Sequence, residues 1–255
     1  MTALLHHLEA VRSAGRKIFV PYLMAGIPDR VTFSDLLASD QADAIEVGLP
    51  FSDPLMDGPV IAEAGERAIA GGIGPLDAID LVAQAPAGPP RPVMTYYNPI
   101  HHLGEDEFCR RVATGGIAGL IVPDLPLEES GSLRAAAAAH GLAWVPLVAP
   151  TSSPQRVMSI AATATGFVYA VSTLGVTGVR DSLSERSSRV VEACRAVTDL
   201  PILVGIGVST PEQAHEAAST ADGVVIGSAV VKRQVEEGHA AVESFFTAVR
   251  TALDA

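Results

Sequence analysis

The sequence predicts an α/β fold, a (β/α)8 or TIM barrel with an extra N-terminal helix and an extra helical segment after strand two. Eight short β-rich runs recur along 255 residues, and helix-forming stretches rich in Ala, Arg and Glu separate them. The repeat is about 32 residues, the size of one βαβ unit. Eight parallel strands joined by crossover helices close into a barrel. The composition agrees. The chain is 48% hydrophobic with a mean hydropathy of +0.32, yet its apolar runs break at Gly or Pro well short of the ~18 residues a membrane span needs.

Taken in order, residues 2–14 read as the extra helix and 18–23 as strand one. Strand two covers 44–49, and the long segment 58–84 leaves room for an added helical turn or a second helix. The stretch Ala85-Pro-Ala-Gly-Pro-Pro-Arg-Pro92 could pass for an interdomain linker. It is read as a helix-to-strand connection, because a boundary there would deprive strands one and two of partners. Strand three spans 92–97, strand four 119–122, strand five 143–148, strand six 166–171, strand seven 201–204 and strand eight 222–226. Helices are expected at 106–113, 128–140, 154–162, 184–197 and 211–219, with another beginning near Ser228. Residues 1–255 are expected to form one domain.

The bulk numbers exclude several function classes. With 17 basic and 29 acidic residues, the net charge of −12 lacks the basic footprint of a general nucleic-acid binder. The N-terminus, Met-Thr-Ala-Leu-Leu-His-His, has neither the basic region nor the apolar core of a secretory signal, so a cytoplasmic protein is expected. Only Cys109 and Cys194 occur; in helical contexts without metal-ligand spacing they read as reduced, structural thiols. Trp144 and the alanine run 135–139 read as packing and helix propensity.

Chemistry in a barrel of this kind sits at the C-terminal ends of the strands. The residues there are Tyr22, Glu46, Asp57 on the following loop, Tyr96, Tyr97, Asn98, Asp124, Tyr169, Gly205-Ile-Gly207 and Gly227-Ser228. Glu46 is the most informative. Strand side chains alternate faces, so Ala44, Glu46 and Gly48 share one side, while Ile45, Val47 and Leu49 take the other. A carboxylate drawn out of water has a raised pKa, which suits a general acid or base near neutrality. Its bland alternative is a buried Glu paired with a structural Arg. A second acid, Asp57, follows on the adjoining loop.

Glycines mark a second feature. Strand seven runs into Gly205-Ile-Gly-Val-Ser209, and strand eight into Gly227-Ser228 at a helix start. Backbone amides there, with the helix dipole, are suited to phosphate, and Gly175-Val-Thr-Gly178 after strand six could complete the cradle. Each motif alone could be a tight turn. Residues 172–184 read either as a lid bringing Thr177 near Asp57 or as a plain connection.

The inventory narrows the chemistry further. Only Lys17 and Lys232 occur, one before strand one and the other inside the last helix, so Schiff-base and pyridoxal-phosphate mechanisms are disfavoured. His101-His102 is the only histidine pair near the top face, and adjacent residues rarely chelate one ion, so no metal is expected. Acid–base catalysis by carboxylates and phenols remains.

Seven motifs in order then give a specific likeness. Glu46-Val-Gly-Leu-Pro-Phe-Ser-Asp-Pro-Leu-Met-Asp-Gly-Pro59, Pro21-Tyr-Leu-Met-Ala-Gly26, Met94-Thr-Tyr-Tyr-Asn-Pro99, Pro123-Asp-Leu-Pro126, Gly175-Val-Thr-Gly178, Gly205-Ile-Gly-Val-Ser209 and Gly227-Ser-Ala229 together resemble the tryptophan synthase α-subunit family over essentially the full length. The resemblance implies a lyase of tryptophan biosynthesis that cleaves indole-3-glycerol phosphate to indole and D-glyceraldehyde 3-phosphate. It implies Glu46 as proton shuttle, Asp57 as acceptor of the indole N–H, and Tyr169 as a residue holding the site's geometry. Gly178, Gly207, Gly227 and Ser228 would hold the phosphate, Tyr22 and Ile206 would wall the indole pocket, and Thr177 would close over Asp57. It further implies an α2β2 heterotetramer with a β subunit that receives indole through a tunnel, and no cofactor in this chain, pyridoxal phosphate belonging to the β partner.

Three positions depart from the family pattern. Ile27 stands where Asp is common, Met56 where Ala precedes the second acid, and Tyr22 where Phe is frequent. The first two fall on the face that would meet the β subunit. Alternatives are a stand-alone lyase releasing free indole and a weakly catalytic module that activates its partner. Another phosphosugar barrel, such as an isomerase, would need a paired acid and base on strands one and five, which the sequence lacks.

Overall fold

The computed structural model describes residues 1–171, 183–205 and 207–255, and of residues 183–187 the backbone alone. The chain opens with α1 (Ala3–Ser13), then β1 (Ile18–Met24), α2 (Arg30–Leu36) and β2 (Glu46–Gly48). The extra segment after strand two is two helices, α3 (Pro59–Ala70) and α4 (Pro75–Gln84), each with Pro in its first turn, where the missing N–H costs nothing. Next come β3 (Pro92–Met94), α5 (Tyr97–Leu103), α6 (Glu105–Thr114), β4 (Gly119–Ile121), α7 (Gly131–Ala139), β5 (Ala143–Trp144), β6 (Leu147–Val148) and α8 (Pro154–Ala161). The series ends with β7 (Val168–Val171), α9 (Leu183–Arg195), β8 (Ile202–Gly205), α10 (Pro211–Ala218), β9 (Gly223–Ile226), α11 (Ser228–Glu236) and α12 (His239–Leu253).

Among the described residues the strands are all parallel, in the order β5-β4-β3-β2-β1-β9-β8-β7-β6. This is the expected barrel, with one revision. Strand five is two pieces, because Pro146 has no N–H to donate and the chain changes partners there. The Val145 N–H donates to the Leu120 carbonyl at 3.0 Å, while the Pro146 carbonyl accepts from Tyr169 at 3.0 Å. The ladder therefore passes from β4 to β7 across this break, and the barrel closes.

Two other expectations are revised. Strand three ends at Met94 and Tyr97 begins α5, so Tyr96, Tyr97 and Asn98 sit at a strand-to-helix corner. Lys232 lies in α11 rather than in the last helix, because Gly238, at φ +81°, breaks the chain before α12.

The strand alternation produces two apolar layers. Phe19, Leu23, Ile45, Val47, Val93, Leu120, Val168 and Val204 face the helices. Ile18, Val20, Ala44, Ile121, Ala143, Val145, Phe167, Leu203 and Val225 face the bore, where Leu4, Leu8 and Val11 of α1 join them. Helix α1 thus stoppers the end of the barrel away from the strand C-termini.

Buried charges are tied down. Asp43, just before β2, accepts hydrogen bonds from the Phe19 N–H at 2.9 Å and from Arg250 of α12 at 3.0 Å. Arg91 donates to the carbonyls of Leu37 and Val82 and of Pro86. It thereby satisfies the C-terminal ends of α2 and α4, where the helix dipole favours a cation. Gln234 of α11 accepts from the Met24 N–H and donates to the carbonyls of Met24 and Ile27, which fixes the turn after β1.

Candidate active site

Strands β1 and β2 place Tyr22 and Glu46 directly opposite one another. Glu46 is 1% exposed, and neither carboxylate oxygen has a hydrogen-bond partner among the described residues. The arginine-paired reading of Glu46 therefore finds no support in the described residues. A buried carboxylate without donors favours its neutral form. Burial first, and the neighbouring Asp57 second, push Glu46 up to about 8.

Asp57 lies half-buried on the loop between β2 and α3. Its own N–H donates to the Pro54 carbonyl at 3.0 Å, and the next amide back, that of Met56, donates to the Tyr96 hydroxyl at 3.0 Å. The Tyr96 ring stacks on Phe51 with centroids 5.3 Å apart. Burial raises Asp57 to about 6, and the neighbouring Tyr96 phenol opposes that rise. Burial and the charge of Asp57 in turn raise the Tyr96 phenol.

The two acids are thus separated in strength by their surroundings. Near pH 7 Glu46 holds its proton while Asp57 is ionised. Two neighbouring carboxyls with values pushed apart form an acid and a base.

Two tyrosines complete the bore. The Tyr22 hydroxyl lies 1.8 Å from where a Cβ on Gly48 would be, and the Tyr169 ring 2.3 Å from a Cβ built on Gly205. Only glycine leaves room for either ring. Burial, then the charges of Asp57 and Glu46, hold the Tyr22 phenol well above its usual range. Burial and then Glu46 do the same for Tyr169. Both phenols remain protonated donors facing the acids.

At the adjoining corner, Gly227 caps α11 and Ser228 is its first residue. The first amides of a helix have no intrahelical partner and offer an anion site. Gly207 follows β8 with φ +96°. Thr177, Gly178 and Ile206, with residues 172–182 of the loop read as a lid, lie outside the described residues.

Other candidates have structural positions. Asp124 accepts from the Tyr97 N–H at 2.9 and 3.1 Å, and the Tyr97 hydroxyl donates to Glu105. Asn98 is exposed on α5, and His101 packs beside the Tyr97 ring. Among the described residues no cluster of His, Cys, Asp and Glu could hold a metal ion. Cys109 and Cys194 are buried, and burial pushes their thiols up to about 12 and about 11, away from the reactive range. The contact that position alone does not reveal is that of the Tyr96 hydroxyl with the Met56 N–H on the loop that carries Asp57. The strand-end rule and the Met94–Pro99 motif pointed to Tyr96.

The family model described as tryptophan synthase alpha chain matches residues 8–253. The tryptophan synthase alpha chain of Carboxydothermus hydrogenoformans is 47% identical over 87% of this chain and 85% of its own. That of Microcystis aeruginosa is 41% identical over 99% of this chain and 100% of its own. A chain in a crystal structure of tryptophan synthase from M. tuberculosis superposes with a TM-score of 0.89 at 35% identity, covering 100% of this chain and 99% of that one. The tryptophan synthase subunit alpha of Legionella pneumophila gives 0.86 at 31% identity, covering 100% and 99%. Eight parallel barrel positions, two acids in its mouth and these likenesses lead to one statement: the chain belongs to the tryptophan synthase alpha chain family.

Proposed function

We propose that this chain cleaves indole-3-glycerol phosphate to indole and D-glyceraldehyde 3-phosphate by carboxylate acid–base catalysis. The observation that carries this reading is Glu46, buried without a hydrogen-bond partner among the described residues, beside Asp57. A retro-aldol step needs a proton delivered to indole C3, a place for the charge that develops on the ring nitrogen, and a base for the glycerol hydroxyl. Protonated Glu46 gives its proton to C3. Ionised Asp57 accepts a hydrogen bond from the indole N–H and stabilises the resulting iminium. The Glu46 carboxylate then takes the proton of the hydroxyl on the carbon attached to C3. The C–C bond breaks, its electron pair returns to the indole ring, the carbinol carbon becomes the aldehyde, and Glu46 ends protonated as it began.

Such proton transfers are each typically worth about 10²–10⁴-fold. Tyr169 keeps the geometry of Glu46, and Tyr22 walls the indole pocket with Ile206. The amides of Gly178, Gly207, Gly227 and Ser228 hold the phosphate, whose charge the chain's net −12 leaves to backbone donors. Thr177 closes over Asp57. Residues 1–255 act as one barrel unit, in the cytoplasm, as the α half of an α2β2 assembly whose β subunit carries pyridoxal phosphate and receives the indole. Among the described residues no helix is long and apolar enough to cross a membrane.

The deciding experiment is indole release from indole-3-glycerol phosphate by the purified chain, with and without a β subunit, alongside Glu46→Gln. Slow release strongly accelerated by the partner, and abolished in Glu46→Gln, is the expected result. Fast release by the chain alone would make it a stand-alone lyase. No release in either condition, with a more active β subunit, would make it an activating module. Wild-type turnover in Glu46→Gln would remove Glu46 from proton transfer.

A further inference from the structure

The Tyr22 side chain spans two parts of the candidate site. Its Cβ lies 3.9 Å from where a Cβ on Gly227 would be, at the corner where the first amides of α11 offer an anion site. Its hydroxyl ends over Gly48, 1.8 Å from the position of a Cβ there. Gly48 shares a strand face with Glu46, two residues earlier, and same-face neighbours on a strand stand about 6.6 Å apart. One side chain therefore runs from the anion corner to within a strand step of the acid that moves protons.

The tip of that side chain is a donor without an acceptor. Tyr22 is 3% exposed, and its phenol donates to no group among the described residues. Asp57 and Glu46 act on it through their charges and help keep it protonated. A buried donor left unpaired is costly. The indole ring cannot relieve it, because the ring presents apolar edges and an N–H. In the reading of the site given above, the phosphate belongs to backbone amides, so the glycerol hydroxyls are the acceptors that remain. The hydroxyl on the carbon attached to indole C3 is the one that Glu46 deprotonates, which puts it beside Glu46 and near the phenol.

We propose that Tyr22 is a specificity-determining residue: its hydroxyl donates a hydrogen bond to the substrate oxygen on the carbon attached to indole C3. This rests on the reading of the chain as an indole-3-glycerol phosphate lyase. The ring walls the pocket, and its tip reads the glycerol chain. When the C–C bond breaks, that oxygen becomes the aldehyde carbonyl, which still accepts, so the bond is kept through the step. A ligand lacking the oxygen strands the phenol, and a site built to bond a hydroxyl discriminates against an analogue without one.

The test pairs Tyr22→Phe with 2-hydroxy-3-(indol-3-yl)propyl phosphate, which lacks only that oxygen and cannot undergo the retro-aldol step. Indole release by the full chain gives kcat/KM for indole-3-glycerol phosphate, and calorimetry gives the Kd of the analogue. In Tyr22→Phe, kcat/KM is expected to fall roughly tenfold, the worth of one hydrogen bond. The analogue is expected to bind as tightly as to the wild type, or up to about fivefold more tightly, because no donor is stranded against it. Its affinity also shows that the pocket is intact. An unchanged kcat/KM in Tyr22→Phe would overturn the proposal and leave the lyase reading standing. So would an equal loss for substrate and analogue, which would assign the hydroxyl to the pocket wall or to the other glycerol hydroxyl. A wild-type chain that neither cleaves the substrate nor binds the analogue would overturn the lyase reading and this inference with it.

Discussion

The Tyr22 hydroxyl occupies the space that a side chain on Gly48 would fill. These residues sit on adjacent strands, β1 and β2, and a Cβ on Gly48 would fall 1.8 Å from the hydroxyl oxygen and 2.3 Å from the ring carbon that carries it. No rotation of a methyl group relieves such an overlap. The ring must leave, and with it the wall that faces both acids.

Gly48→Ala is therefore expected to destabilise the protein by about 1–3 kcal/mol, as overpacked cores do, and to lower kcat/KM by displacing Tyr22. Tyr22→Phe should not rescue it, because the ring carbons remain in the way. Tyr22→Leu should recover stability without recovering turnover. Urea unfolding and steady-state indole release on the three backgrounds check this.

Glu46 makes the protein less stable as pH rises. Its value goes from 4.5 unfolded to about 8 folded, so between those limits the native state binds more protons than the unfolded chain and stability falls with pH. The contribution is fully present below about 4.5 and lost through 8. Glu46→Gln, which cannot ionise, should match the wild type near pH 4.5 and exceed it by on the order of a few kcal/mol at pH 8. Equal stabilities at pH 8 would contradict the burial of an unpartnered carboxylate.

The pH dependence of kcat/KM should be a bell. Asp57 must be ionised and titrates near 6, so activity falls on the acid side; Glu46 must hold its proton and titrates near 8, so activity falls on the alkaline side. Asp57→Asn should flatten the acid limb of whatever activity remains. A single limb in the wild-type profile would break the assignment of one acid and one base.

Arg250 is the buried cation against Asp43, 3.0 Å away. Arg250→Met is expected to cost less than the ~3–5 kcal/mol of a fully stranded buried charge, because Arg16 still lies 3.6 Å from the Asp43 carboxylate. The Phe19 N–H, still donating to Asp43, keeps the loss from being larger. Denaturant midpoints for Arg250→Met, Asp43→Asn and the double variant measure the coupling between them.

Much of the site was legible because strand alternation is a strict rule. It set Glu46 opposite to Ile45, Val47 and Leu49, and those three do face the helices while Ala44 faces the bore. The strand-end rule gathered Tyr22, Glu46, Tyr96 and Tyr169, and the charges of Glu46, Tyr96 and Tyr169 all act on the buried Tyr22 phenol. What the sequence did not carry was partner choice. Residues 143–148 look like one uninterrupted strand, and only the switch of hydrogen bonding at Val145-Pro146 divides them. The contact between Tyr96 and the Asp57 loop links positions 40 residues apart, and no local spacing encodes it. Likewise, the roles of Asp124 and Tyr97 follow from a helix beginning where a strand was expected.

Helix α1 stoppers one end of the barrel, with Leu4 and Leu8 wholly buried among the bore residues. Among the described residues a stoppered barrel is a cup, open to Glu46 only at the rim of strand C-termini. Entry and exit then compete for the same opening, so whatever rests on the rim controls both. A partner seated there could turn a two-way mouth into an ordered passage without altering a catalytic group.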